Sequence, residues 1–399
     1  MAAKLTATLA VLVATTANLV AAQKYPFMPT EWPSQDQNQF ITGRLLEAPL
    51  ILDGMKKVQA AVPENILALP VAEFHNYSNT TYPGCTPSEL PAGMTVNLNS
   101  TQAQAACWWP SNNCIRTTAT SYYQPDIVRC KGQNVWGLTY DDGPTVATAD
   151  NVATRNITDI LGRLGAKATF FVAGSAVSNA PGELRRAFSE GHEIAVHTWT
   201  HHPLTTLTNA QIVAEILYTE AKIYSILGVV PRFFRPPYGD VDDRVRGIIS
   251  ALGYLNVIWT TEPLNNLYRD TRDAEHVSSA ADMASVVTEV EKWFVEQPGF
   301  ISLEHDINPN TSTIAINLLS RIESMGPAFP LKLKPIGECY NIAPYMNVQP
   351  GQALPPLPEY RANPTDVASG ALGTGVGVAV WRRVTVAVVA GLVAVMALV

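Results

Sequence analysis

Residues 134–144 read Asn-Val-Trp-Gly-Leu-Thr-Tyr-Asp-Asp-Gly-Pro, and the character of the 399-residue chain changes here. Upstream, residues 23–130 are rich in Pro, Asn, Ser and Thr and have little sustained periodicity. Downstream, short apolar runs alternate with longer helical ones about six times. Strand followed by helix, repeated in this way, is typical of a parallel sheet, either open or closed into a barrel.

The predicted strands are 135–140, 167–173, 193–199, 231–235, 255–260, 299–305 and 331–336. The predicted helices are 150–164, 182–190, 210–227, 242–252, 280–296 and 313–325. In a parallel barrel, chemistry takes place at the C-terminal ends of the strands. The residues that follow each strand are therefore the candidates for a functional site.

Two adjacent carboxylates, Asp141 and Asp142, end the first predicted strand and precede Gly143 and Pro144. Adjacent strand residues point to opposite faces, so both carboxylates reach one site only where the chain bends. Gly143 and Pro144 are the predicted source of that bend. Taken alone, the four residues better fit a solvated turn.

The third predicted strand runs into His197-Thr-Trp-Thr-His201-His202, which holds three of the seven histidines. Imidazole nitrogen and carboxylate oxygen together suit a divalent cation such as Zn²⁺. His197 and His201 with one aspartate make a three-ligand site, the catalytic kind that leaves a position for water and substrate. A pair of surface histidines is the alternative.

Two further predicted strands end in residues that are candidates for catalytic roles. Arg235-Pro-Pro-Tyr238 follows the fourth strand, and its prolines fix the backbone so that the Tyr238 amide is a candidate oxyanion donor. Arg235 is a candidate partner for a carboxylate, or a structural ion pair. Leu303-Glu-His305 ends the sixth, and a histidine there is a candidate proton donor.

In this order, the motifs resemble the polysaccharide deacetylase (NodB homology) domain of carbohydrate esterase family four, most of all its fungal chitin deacetylase branch. The resemblance covers about residues 134–340 and implies a distorted (β/α) barrel. It further implies that Asp142, His197 and His201 hold one divalent metal ion, zinc or alternatively cobalt.

The same resemblance implies the roles of the remaining residues. Asp141 is the expected general base, and Arg235 steers it. The Tyr238 amide stabilises the oxyanion, His305 protonates the leaving amine, and Leu303 lines the pocket for the acetyl methyl group.

Relatives also bridge a cysteine before the first strand to one after the last, which implies a Cys130–Cys339 disulfide. Cys107 and Cys114 are close enough for a local loop, which would leave Cys85 unpaired. The sequence alone does not fix the pairing.

One motif departs from the family pattern. Relatives carry Asp-x-x-Asp-Trp after the fifth strand, where the second acid orients the catalytic histidine. Aligned on Trp259, this chain has Glu262, Asn265 and Asn266 at those places, with Asp270 or Asp273 as possible substitutes. A changed sugar subsite, with preference for partly deacetylated chitosan over chitin, is the resulting hypothesis.

Both ends of the chain carry targeting patterns. Residues 1–22 have one lysine, an apolar run and a small-residue cleavage site, typical of a secretory signal peptide. Three small residues from Ser369, a spacer and a 16-residue apolar tail match a signal for a GPI anchor, with Ser369 as the anchored residue. A buried N-terminal helix and a transmembrane tail are the alternatives.

The predicted organisation is a signal peptide (1–22), an N-terminal extension (23–130), a catalytic domain (131–342), a linker (343–369) and an anchor propeptide (370–399). Sequons for N-glycosylation occur at Asn76, Asn79, Asn99, Asn156 and Asn310. The expected location is the outer face of the plasma membrane and the cell wall, through a GPI lipid.

The formal charge is −7, from 27 Lys and Arg against 34 Asp and Glu, with no basic cluster through the mature chain. A nucleic-acid partner is therefore not expected. The expected function is metal-dependent deacetylation of chitin or chitosan. A wall protein that binds carbohydrate with a decayed site, and a deacetylase of another acetylated glycan, are the alternatives.

Overall fold

The computed structural model describes residues 25–76, 79–81, 105–148, 152–262, 267–275, 277–349 and 351–359. The predicted signal peptide, the anchor segment with Ser369, and the residues Cys85, Asn99, Asn265 and Asn266 lie outside this part of the chain.

The described helices are α1 (Pro49–Ala61), α2 (Glu64–Leu67), α3 (Trp109–Asn112), α4 (Thr154–Leu164), α5 (Gly174–Asn179), α6 (Pro181–Ser189), α7 (Asn209–Leu227), α8 (Asp243–Ala251), α9 (Ala280–Glu291), α10 (Pro309–Met325) and α11 (Ile336–Tyr340). The described strands are β1 (Glu73–Asn76), β2 (Asn79–Thr81), β3 (Val135–Gly137), β4 (Thr139–Asp141), β5 (Thr169–Val172), β6 (Glu193–Val196), β7 (Phe233–Phe234), β8 (Leu255–Asn256), β9 (Thr261–Glu262), β10 (Leu267–Tyr268), β11 (Phe300–Ile301) and β12 (Lys332–Lys334).

The central strands form a distorted parallel barrel. β4, β5, β6, β7 and β8 pair in that order, while β3 pairs with β11 on one side and β12 on the other. β3 and β4 are successive parts of one chain run that Leu138 interrupts. The ring closes where the Thr260 amide donates to the Ile301 carbonyl at 3.0 Å, just beyond β8. The α/β fold expected from the sequence is thereby confirmed.

The barrel interior is a small apolar cluster that the two-residue period of the strands builds. Its members are Ile127, Cys130, Val135, Phe171, Ala195, Phe233, Val257, Ile301, Ile336 and Cys339. Residues of opposite parity face the surrounding helices and join a much larger cluster. The Cys130–Cys339 disulfide lies inside the barrel, and Cys107–Cys114 closes a local loop.

All seven predicted strands occur. The first is divided into β3 and β4 and reaches Asp141, and the other six are shorter than predicted, because the apolar runs continue into loops that still cover the core. The six predicted helices also occur, with ends shifted by up to five residues. The sequence reading missed α1 and α5, among others. α1 lay in the segment judged to have little periodicity, and α5 is a short run of small residues, Gly-Ser-Ala-Val-Ser-Asn, without an apolar stripe.

The N-terminal segment packs against the barrel helices. α1 contacts α7 and α8 and buries Ile51 and Val58 completely. The Tyr25 hydroxyl donates to Glu220 at 2.6 Å, and the Tyr218 hydroxyl donates to the Leu45 carbonyl at 2.8 Å. The residues from Tyr25 to Val62 thus belong to the same hydrophobic core as the barrel. The predicted boundary at residue 130 stays a prediction.

Among the described residues, no helix is long and apolar enough to cross a membrane. Two of the predicted sequons lie in described helices, where their side chains make hydrogen bonds. Asn156 accepts from the Ala153 amide at 3.0 Å, and Asn310 donates to the Val277 carbonyl at 3.0 Å. Asn76 and Asn79 lie in β1 and β2.

Candidate metal centre and active site

The alternation that fills the barrel also aims side chains at its C-terminal rim. Asp141 lies two residues beyond Thr139 of β4. In the same way, His197, Arg235 and Leu303 each lie two residues beyond a side chain of the barrel interior, namely Ala195, Phe233 and Ile301. Side chains two apart on a strand share a face. The sequence-predicted residues of four different strands therefore converge on one cavity.

Asp142 leaves the strand by a bend at its own backbone. Its φ is 75°, in the left-handed region, and this turns its carboxylate toward the side that Asp141 faces. Asp142 Oδ1 lies 2.8 Å from His201 Nε2 and 3.2 Å from His197 Nε2. The expectation that Gly143 and Pro144 would supply the bend was incomplete, because the bend begins at Asp142.

The turn that carries the two histidines also uses left-handed residues. Thr198 has φ 67° and His201 has φ 62°. Buried Glu215 of α7 holds this turn, because its carboxylate accepts from the amides of Trp199 and Thr200 at 2.7 and 2.8 Å. Sequence reasoning missed Glu215, since a glutamate in a long helix gives no sign of burial.

The donor atoms fit a cation. His197 Nδ1 lies 2.7 Å from the Arg235 carbonyl oxygen, so Nδ1 carries the ring proton and Nε2 presents a lone pair. Asp142 Oδ1 is buried and has no hydrogen-bond partner. The ligand atoms that Asp142, His197 and His201 offer lie within 4.8 Å of one another. The lone pairs of these ligand atoms lie close together, and such a set suits a divalent metal ion with oxygen and nitrogen ligands.

Asp141 is held by a buried cation. Arg235 Nη1 donates to Asp141 Oδ1 and to Thr139 Oγ1, each at 2.7 Å. The guanidinium lies over the Phe171 ring, 4.1 Å from its centroid, and is fully buried. This contact fixes one carboxylate oxygen and leaves Oδ2 toward the metal site, 3.8 Å from His197 Nε2.

Asp273 holds His305, whose backbone forms an isolated parallel bridge with Asp141 at the same rim. Asp273 Oδ1 lies 2.7 Å from His305 Nδ1, and Oδ2 accepts from the His305 amide at 2.9 Å. Burial by itself lowers the pKa of His305. The charge and hydrogen bond of Asp273, with the charges of Asp142 and Asp141, outweigh burial and raise this pKa to about 10.

The alignment of the fourth motif on Trp259 was wrong. The ring nitrogen that Asn265 was expected to contact is bonded to Asp273, and Glu262 pairs with Arg129. Asp270-Thr-Arg-Asp273 has the Asp-x-x-Asp spacing, eight residues later than the aligned position. Ala274, which lines the cavity, follows where the family pattern has tryptophan. Asp270 and Asp273 were the possible substitutes named from the sequence, and their spacing is the signal that identifies the motif.

Tyr238 lies beside the metal ligands in a short helical turn. Its φ is 60°, and its hydroxyl is 3.0 Å from His201 Nδ1. The sequence reading considered only its amide and missed this contact. Leu303, 7% exposed, lines the cavity between Asp141 and His305.

The cavity at this rim has a volume of about 410 Å³. It is lined by Gln37, Asn38, Asp141, Asp142, His197, His201, Tyr238, Trp259, Asp270, Arg272, Ala274, Glu275, Leu303, His305 and Ile307. Gln37 and Asn38 come from the N-terminal segment and were not anticipated.

Residues 128–257 match the family model described as polysaccharide deacetylase. Over 244 residues the chain is 41% identical to chitin deacetylase 1 of Cryptococcus neoformans var. grubii, covering 58% of this chain and 49% of that protein. It is 35% identical over 282 residues to a chitin deacetylase of Amylomyces rouxii, covering 69% of this chain and 63% of that protein. The chain thus spans about half to two thirds of the length of these relatives.

Among solved structures, the chitin deacetylase from the fungal pathogen Colletotrichum lindemuthianum aligns with a TM-score of 0.48 and 26% identity. The alignment covers 57% of this chain and 97% of that one. The peptidoglycan deacetylase PdaC from Bacillus subtilis aligns with a TM-score of 0.44 and 29% identity, covering 52% and 90%.

Proposed function

The chain carries a polysaccharide deacetylase domain and is homologous to fungal chitin deacetylases, and on that premise we propose that it removes N-acetyl groups from chitin or partly deacetylated chitosan. The reaction adds water to the acetamide and yields acetate and a free amino sugar. One observation carries the proposal: an Asp-His-His ligand set shares its cavity with an arginine-held carboxylate and an aspartate-held imidazole.

Asp142, His197 and His201 would hold the metal, for which zinc is our first choice and cobalt the second. A divalent ion there supplies Lewis acidity, which polarises the acetamide carbonyl and lowers the pKa of water. The structure supports a three-ligand site of the open, catalytic kind.

Asp141 is the proposed general base. Its Oδ1 is engaged by Arg235, so Oδ2 is the atom that takes the proton from the attacking water. Arg235 is a positioning residue, because it touches Asp141 and Thr139 and acts through the carboxylate. Its buried contacts keep Asp141 in one orientation through the reaction.

His305 is the proposed general acid. An amide nitrogen leaves poorly until it is protonated, so the reaction needs a proton donor on the side of the leaving group. The raised pKa of His305 keeps its ring protonated near neutral pH. Nδ1 is bonded to Asp273, so Nε2 is the atom that delivers the proton.

The Tyr238 amide is the proposed hydrogen-bond donor to the developing oxyanion. Leu303 offers the apolar surface against which the acetyl methyl group packs, next to Trp259 in the same cavity. This neutral, partly apolar corner favours an acetyl group over a longer or charged acyl group.

The five sequons are proposed glycosylation sites, and the chain is proposed to be secreted and held at the outer face of the plasma membrane by a GPI lipid on Ser369. The sequence pattern at residues 369–399 and the two disulfides support this location. Release of the protein from intact cells by a phospholipase specific for phosphatidylinositol tests the anchor. Retention after that treatment would contradict it.

Acetate release from chitin and chitosan by the purified protein tests the activity. We expect release that a chelator abolishes and zinc restores, and that Asp141→Asn loses. Acetylated xylan and peptidoglycan serve as competitors, because a relative named peptidoglycan-N-acetylglucosamine deacetylase, from Listeria monocytogenes, is 30% identical over 214 residues. Release from these alone would redirect the proposal to another glycan. Polymer binding without any release would contradict catalysis.

A further inference from the structure

The candidate active site is partly built by a segment outside the barrel. Residues 35–38 form an exposed turn whose side chains Gln37 and Asn38 line the cavity that holds the metal ligands. The same two side chains line an adjoining groove of about 600 Å³, which also shares Asp142 and Ile307 with the cavity. Cavity and groove therefore meet along this turn.

The turn is fixed to the element that carries the metal ligands. The Trp199 indole, between His197 and His201 in sequence, donates to the Ser34 carbonyl at 2.7 Å. Trp32 stacks on the same indole, with centroids 5.9 Å apart and planes 16° apart. Movement of the turn is thus tied to movement of the site.

Contacts within the turn set the directions of its side chains. Asp36 Oδ1 accepts from the backbone amide and the side-chain nitrogen of Asn38, at 3.0 and 2.9 Å. The Gln37 side chain donates to Ser175 Oγ at 3.0 Å, which links the turn to α5. The two amide side chains are therefore ordered before any ligand arrives, which reduces the entropy lost on binding.

The side chains that line the groove suit a sugar as ligand. Its described lining is neutral and polar or small and apolar apart from Asp36 and Asp142, with Thr145, Ser175 and Asn179 among its members. Side-chain amides both donate and accept, as do the hydroxyl and acetamido groups of a hexosamine. A neutral sugar unit finds matching partners there.

We infer that Gln37 and Asn38 form a subsite for the sugar unit next to the one being deacetylated, an N-acetylhexosamine with its acetyl group intact. The inference rests on the proposed function and adds a specificity-determining wall supplied by the N-terminal segment. It makes the enzyme prefer polymers to single sugars, because the neighbouring unit contributes binding that the reacting unit alone lacks.

The test compares N-acetylglucosamine itself, which has no neighbouring unit, with an acetylated chito-oligosaccharide of four sugars. For Gln37→Ala with Asn38→Ala, KM for the four-sugar substrate rises about tenfold, as expected for two lost neutral hydrogen bonds. Its kcat stays within twofold, and the advantage of the longer substrate shrinks. The control is Gln39→Ala, an exposed neighbour that lines neither the cavity nor the groove.

A second variant guards against loss of structure. Gln37→Glu keeps the size of the side chain and its contact with Ser175, whose hydroxyl can donate to a carboxylate, and adds a negative charge facing the groove. KM for a partly deacetylated, cationic four-sugar substrate then falls relative to KM for the fully acetylated one. Thermal unfolding of all variants is recorded alongside.

The outcomes separate the inference from the function on which it rests. No acetate release from any substrate by the unmodified protein overturns the proposed function. Release with no advantage of four sugars over one, equal losses on both substrates, or an unchanged ratio of substrates for Gln37→Glu overturns the subsite.

Discussion

At His305 burial and charge oppose each other, and the outcome decides whether the ring serves as an acid. Burial favours the neutral ring, while Asp273 at 2.7 Å favours the protonated one, and the pKa is raised to about 10. A protonated imidazole in a buried cavity needs such a partner. Asp273 is therefore a positioning and charge-supplying residue for the acid.

Asp273→Asn keeps the hydrogen-bonding shape but removes the charge. We expect the pKa of His305 to fall, so the alkaline limb of the pH profile of kcat moves to lower pH. At pH 8 kcat drops by about 10²-fold, the size of a general-acid contribution, with little change in KM. Asp159→Asn, an exposed carboxylate on α4, is the control for loss of charge. An unmoved alkaline limb would contradict the assignment.

Glu215 shows how a residue outside the cavity governs the ligands. It accepts from two amides and from the Thr200 hydroxyl, all in the turn between His197 and His201. The carboxylate satisfies donors that are buried and would otherwise lack partners, which is expensive in free energy.

Glu215→Ala removes all three hydrogen bonds. We expect a loss of about 3 kcal/mol in the free energy of unfolding and weaker zinc binding, because the turn loses its anchor. Urea unfolding in chelator and competition with a zinc indicator measure the two effects. Glu215→Gln, which keeps one acceptor oxygen, should fall between. Unchanged zinc affinity in the alanine variant would refute the link.

At the scale of elements, strand parity explains both what the sequence predicted and what it did not. Apolar runs identified the seven strands, and the motif at each strand end identified Asp141, His197 and His305. Their convergence follows from parity and barrel closure. Asp273 was only one of two possible substitutes, and Gln37 was not anticipated. Both lie on irregular segments, whose paths depend on tertiary contacts and give no periodic signal.

β3 contains a glycine that the packing requires. A Cβ on Gly137 would lie 2.7 Å from Cys130 Sγ and 3.1 Å from an Ile301 carbon. The barrel interior therefore has no room for a methyl group beside the Cys130–Cys339 disulfide, in keeping with the density of protein cores.

Gly137→Ala should destabilise the protein by about 1 to 3 kcal/mol, the usual range for an overpacked core. Gly162→Ala is the matched control, because a Cβ there meets nothing within 4 Å and Gly162 is an exposed residue of α4. That change should stabilise by about 0.5 to 1 kcal/mol through helix propensity. Chemical unfolding measures both, and equal effects of the two changes would disprove the packing argument.

For the whole molecule, buried acids set the dependence of stability on pH. Burial raises the pKa of Glu193 to about 7 and that of Glu304 to about 8, from the ordinary value of 4.5. Between pH 4.5 and the raised pKa of each glutamate, the folded state keeps a proton that the unfolded chain has released. Stability from these groups is therefore full below about pH 4.5 and declines as the pH rises.

Three histidines also titrate, and they limit the pH range in which the effect of the buried glutamates on stability has no opposing contribution. Burial lowers the pKa of His192 and of His202 to about 4, so these rings add stability as the pH rises toward 6.5. Above that value both are neutral in either state and contribute no slope. The pKa of His305 is raised from 6.5 to about 10, so the stability that His305 contributes declines as the pH rises above 6.5, and this range overlaps that of the glutamates. From pH 6.5 to 8, therefore, none of Glu193, Glu304 and His305 adds stability as the pH rises, and each lowers it over the part of this range in which it titrates.

We accordingly expect the urea midpoint, measured in chelator, to fall from pH 6.5 to pH 8. Each group contributes at most about 1.4 kcal/mol per pH unit. Glu304→Gln keeps the size of a side chain that accepts from Ser302 Oγ at 2.9 Å, and it removes the titration. This variant should flatten the fall, whereas Glu296→Gln, at an exposed position, should not. A midpoint that rises over this range, or equal slopes for the two variants, would show that buried Glu304 does not govern the pH response.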